Sequence, residues 1–122
     1  SEVMDNLCYH DYDIAVGAED ECERLGRDIG DKHAMIMHNH GLLTCASTVA
    51  EAFYQMYILE NACKVQVDAM ASGADLHHTK ESAAKMLRDY GQVKPNKPSR
   101  SSRLAWPALL RMLDKQDDSY RS

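Results

Sequence analysis

The segment from Thr48 to Ala71 constrains this chain more than any other. Val49, Phe53, Met56, Cys63, Val67 and Met70 recur at helical spacing, and Ala52, Leu59 and Ala62 widen the stripe they define. Thr48-Val49-Ala50-Glu51 has the form of a capping box, in which hydroxyl and carboxylate each satisfy a backbone donor at the helix start. Gly73 stops the helix. A stripe of this length has to be covered by another surface, most naturally a sheet, so the expected fold class is α/β.

Strand material lies upstream. Leu7, Cys8, Tyr9, Tyr12, Ile14 and Val16 suit an extended segment from Leu7 to Val16 that breaks at Gly17. Ala18 to Ile29 is expected to be helical: Glu19, Asp20, Glu21 and Glu23 crowd the end where the helix dipole favours negative charge, and Gly30 supplies a left-handed stop. Ala34 to Met37 and Leu42 to Cys45 are short apolar runs, either two strands or one kinked strand hinged at Gly41. Downstream, Lys80 to Tyr90 is a shorter amphipathic helix. Residues 93–103 form a basic Pro/Ser linker, and Leu104 to Lys115 is a last helix within a tail of residues 104–122.

The 122 residues include 44% apolar and 27% charged side chains, ordinary for one small globular domain. A net charge of -5 argues against a general nucleic-acid binder. No apolar run approaches the length of a membrane span, and no signal-peptide pattern opens the chain. Cys8, Cys22, Cys45 and Cys63 are scattered without a C-x-x-C pair, which suits free thiols in a reducing, cytoplasmic compartment. Ser1 stands where an initiator methionine would, so the chain reads as cut inside a domain or as a partial reading frame.

The candidate chemistry centres on His38-Asn39-His40. Residues two apart on a strand point to the same side, so both imidazoles are candidates to reach one divalent cation, and Gly41 leaves room for a sharp turn. H-x-H alone is a weak signal, and solvated or hydrogen-bonded histidines are the ordinary alternative.

The residues around it carry more. Asn39-His40-Gly41-Leu42-Leu43, the helix start after Ser47, the Glu60-Asn61-Ala62-Cys63 and Gln66-Val67 positions, Tyr9-His10-Asp11-Tyr12 and the Arg111-Met112-Leu113-Asp114 tail together resemble the class II aldolase/adducin family, in its adducin-like branch. The resemblance implies the C-terminal half of a three-layer α/β/α domain, residues 1–92, with a helical C-terminal extension. It implies a tetrameric homo-oligomer and a zinc or related divalent ion held by three histidines. The third of these matches His40; His38 has no ligand counterpart. Tyr90-Gly91-Gln92 resembles a C-terminal motif whose tyrosine donates a proton in a neighbouring subunit's site, against the plainer reading of a tyrosine at a helix end.

Two functions follow from the resemblance. One is a metal-dependent aldolase- or epimerase-type carbon–carbon lyase acting on a small hydroxy-carbonyl compound or sugar phosphate, incomplete in this chain because the first-half ligands and base are missing. The other is an adducin-like module that binds the actin and spectrin cytoskeleton without catalysis. Fold does not decide between them.

Overall fold

A computed structural model describes residues 6–13, 17–77, 80–90 and 99–121. Three strands form one sheet: β1 (Leu7–His10), β2 (Ala34–Met37) and β3 (Gly41–Thr44), in the order β1-β2-β3. β1 runs parallel to β2, with Leu7 opposite Ala34 and His10 opposite Met37. β3 runs antiparallel to β2, with Met37 opposite Gly41 and Ala34 opposite Thr44. A parallel neighbour requires a crossover, and helix α1 (Ala18–Ile29) supplies it and packs on β1. Its limits are those expected: Glu19, Asp20 and Glu21 occupy the first turn, and Gly30, at φ 48°, closes the last with its N–H on the Gly26 carbonyl. The extended segment is shorter than expected. β1 ends at His10, Asp11 to Asp13 lie outside any strand, and residues 14–16 fall outside the described residues.

Helix α2 (Val49–Ala71) packs on β3 and β2. Its cap forms only in part. The Thr48 side chain accepts from the Glu51 N–H at 3.2 Å, but the Glu51 carboxylate does not turn back to the cap. It accepts instead from the Ser99 N–H at 3.0 Å and, in a very short contact, from the Ser102 hydroxyl. Those serines start helix α4 (Arg100–Gln116), whose N-cap is Ser99. The final α-helix therefore begins four residues earlier than the expected Leu104, because Ser99 and Ser102, assigned from composition to the linker, dock on a buried carboxylate. Ser102 and Glu51 are among the most buried residues of the molecule. Farther along, Trp106 meets Phe53 edge-to-face at 5.6 Å. Helix α3 (Glu81–Tyr90) lies between α2 and α4 in sequence.

The apolar core is small. Among the described residues only Ala34, Met35 and Leu59 are fully buried apolar side chains. The stripe on α2 is covered only along its middle: Leu59 is buried and Met56 and Cys63 are half-buried, whereas Val49 at one end and Val67 and Met70 at the other, with Val65 beside them, are each more than 60% exposed. All four cysteines are free. Among the described residues no helix is long and apolar enough to cross a membrane.

Candidate functional site

Four consecutive residues, Tyr9 to Tyr12, build the floor of the site. Side chains alternate along an extended chain, so Tyr9 and Asp11 reach one partner while His10 turns away from it to another. His10 faces α1 and is 1% exposed. Its Nδ1 lies 2.7 Å from the Asp28 carboxylate and its Nε2 lies 2.7 Å from Glu21. Two carboxylates at those distances favour an imidazolium, which donates an N–H to each. The hydrogen bond to Glu21, and after it the one to Asp28, hold its pKa above the ordinary histidine value against the opposing effect of burial. The same bond from His10 holds the Glu21 carboxyl below its ordinary value. Arg24 completes the cluster, donating to the Glu21 carboxylate at 2.8 Å and to the Asp11 carbonyl at 2.8 Å. β1 is thereby fastened to α1 at its last residue.

The turn between β2 and β3 lies on this floor. The His38 N–H donates to the His10 carbonyl at 2.9 Å, and the His40 N–H donates to the Met37 carbonyl at 3.1 Å. The left-handed residue is Asn39, at φ 57°, not Gly41, which pairs with Met37 in the ladder. Asparagine tolerates that conformation because its short polar side chain compensates for the crowding that excludes most residues. His38 and His40 therefore sit in a turn between two strands and do not share a strand face. His38 places Nδ1 2.6 Å from the Asp11 carboxylate, with its ring tilted against Tyr9 at 5.6 Å. That hydrogen bond holds the Asp11 carboxyl below its ordinary value. His40 lies flat on Tyr12, with ring centroids 3.9 Å apart and planes within 15°.

His40 is exposed at the tip of the hairpin, and a neutral imidazole is the donor type that zinc and similar cations take. In number the described residues fall short. Among them no three of His, Cys, Asp or Glu converge as a metal would require. Tyr90 is the last residue of α3, and the role expected for its phenol lies outside the described residues. The sequence reading missed His10, Asp11 and Tyr12 as contributors. Their signal was present in the unbroken run of polar and ring side chains Tyr9-His10-Asp11-Tyr12, which spans the end of β1 and the residues after it, but their partners are distant in sequence.

Comparison with known proteins follows the same lines. The profile of the class II aldolase and adducin N-terminal domain matches residues 2–67. A Pseudomonas aeruginosa protein, provisionally named as an aldolase class 2 protein, is 41% identical over 98% of this chain and 46% of its own length. Rat beta-adducin is 28% identical over 92% of this chain and 17% of its own length. The crystal structure of an aldolase II superfamily protein from Pseudomonas syringae superposes with a TM-score of 0.87 at 32% identity, covering 99% of this chain and 48% of that one. The chain thus spans less than half the length of these relatives.

Proposed function

The chain belongs to the class II aldolase/adducin family, and from that premise we propose that it supplies one metal-binding imidazole, His40, to an aldolase- or epimerase-type site. The substrate class is a small hydroxy-carbonyl compound or sugar phosphate, the cation is zinc or a related divalent ion, and the setting is a cytoplasmic homo-oligomer. The observation that carries this reading is the presentation of His40. Its ring stands exposed at the hairpin tip immediately before Gly41, laid on Tyr12, while its neighbour His38 is tied to Asp11. The remaining ligands and the base lie outside the described residues. The bound ion would polarise a carbonyl oxygen; this chain's own contribution is to hold one donor in place.

The test is metal content, measured by plasma mass spectrometry on protein purified in the full-length context that supplies the remaining ligands, and on its His40→Ala variant. Wild-type protein is expected to retain divalent metal and the variant to lose most of it. Equal content in the two overturns the reading. A second reading, an actin- and spectrin-binding module, is favoured by the similarity to beta-adducin, which extends over α4 as well as the sheet. Co-sedimentation with filamentous actin that persists in His40→Ala would support it.

A further inference from the structure

We propose that Tyr12 is the positioning residue of His40: its ring fixes the plane of the imidazole and leaves both in-plane nitrogens available to a ligand. The proposal rests on the reading of His40 as a ligand-bearing residue.

The argument begins with what each turn histidine gives up to be held. His38 is fixed through a ring nitrogen, because Nδ1 is engaged by Asp11 at 2.6 Å. His40 is fixed through its face, on Tyr12 at 3.9 Å and 15°. The lone pair with which an imidazole binds a cation or accepts a proton lies in the ring plane, whereas stacking uses the π-face. A stacked imidazole is therefore held without spending a donor. Among the described residues neither ring nitrogen of His40 has a hydrogen bond.

Tyr12 is itself well supported. It follows Asp11, whose carboxylate is tied to His38 and whose carbonyl is tied to Arg24. Two residues before it, His10 is locked between Glu21 and Asp28. A mobile ring on a hairpin tip would lose rotamer freedom on binding a ligand; a ring already laid flat on a braced neighbour loses less, and the difference appears as affinity.

Three variants test this in the protein: Tyr12→Leu, which removes the aromatic face; Tyr12→Phe, which keeps it; and His40→Ala. Two quantities are measured, the His40 ring proton resonances by NMR without metal, and the affinity for zinc ion alone by titration of protein in the full-length context that carries the remaining ligands. In wild-type protein the His40 ring protons are expected upfield of free histidine, shielded by the Tyr12 face. Tyr12→Leu should remove that displacement and weaken zinc binding about 10-fold, the usual scale for losing a support behind a ligand. Tyr12→Phe should change neither by more than about 2-fold, since the face and not the hydroxyl acts on the ring. Zinc binding lost in His40→Ala but unaltered in Tyr12→Leu overturns the positioning role alone. Undiminished zinc binding in His40→Ala overturns the ligand reading, and the proposal with it. Should Tyr12→Leu fail to fold by circular dichroism, the wild-type resonances decide: His40 ring protons at free-histidine positions overturn the proposal.

Discussion

Replacing His10 with leucine is the sharpest test of how this molecule holds together. Leucine fills much of the same volume but donates nothing, so Glu21 and Asp28 each lose a charge-assisted hydrogen bond of 2.7 Å. Stripping one partner from a buried ion pair costs about 3–5 kcal/mol, because the other is left charged in poor solvent. Two features pull the figure to the lower end here. Glu21 keeps Arg24 at 2.8 Å, and the Asp28 side chain is 39% exposed and can take up water. The expected loss is about 3 kcal/mol, a fall in melting temperature of roughly 10 °C for a chain of this length. The loss should also depend on pH. The folded pKa of His10 is raised, so its contribution is full below the unfolded value of about 6.5 and fades as pH rises through the folded value. That of Glu21 is lowered, so its contribution is full above about 4.3 and fades as pH falls. Urea unfolding followed by circular dichroism should therefore show the widest gap between wild type and variant near pH 5.5, narrowing toward pH 9. A loss below about 1 kcal/mol at pH 5.5, or a gap indifferent to alkaline pH, would refute the imidazolium clamp.

Two further outcomes are expected. Glu51→Ala removes the acceptor shared by the Ser99 N–H and the Ser102 hydroxyl, at a cost of about 2–3 kcal/mol, concentrated in α4. Hydrogen exchange should quicken across Arg100–Gln116 with α1 unchanged, and unaltered protection of α4 would contradict the docking described. Val67→Lys places a charge on the open part of α2, where Val65, Val67 and Met70 stand exposed. It should reduce self-association in sedimentation velocity while leaving the fold intact, and an unchanged size distribution would show that this face does not mediate contact between copies.

What could be read from sequence divides along the reach of the forces involved. Helix α1 was legible to the residue, because acidic first-turn side chains and Gly30 act within a few positions of the ends they define. The helical register of α2 was equally plain, and so was the need for a covering surface, which the exposed Val65 to Met70 stretch still expresses. His10 was not legible. Its partners lie 11 and 18 residues away, and only the crossover through α1 brings them together. Glu51 was misassigned for a related reason: its local role as a cap partner competes with one 48 to 51 residues distant, and it is the distant serines that its carboxylate accepts from. The turn was read as a hinge at Gly41 because glycine in a strand pattern marks a bend, yet Gly41 pairs in the ladder and the left-handed turn residue is Asn39. His40 was found from the motif around it, and the stack on Tyr12 required coordinates.

The left-handed backbone at Asn39 bears on how natural or selected variation at this hairpin should be interpreted. A library randomised over residues 38–40 would be expected to retain asparagine, glycine or aspartate at the centre whatever the selection, since other side chains crowd their own carbonyl at φ 57°. Intolerance there would report a constraint of chain geometry. Intolerance at position 40, whose neighbouring backbone imposes no such filter, would instead report chemistry, so the two adjacent positions form a built-in control for one another.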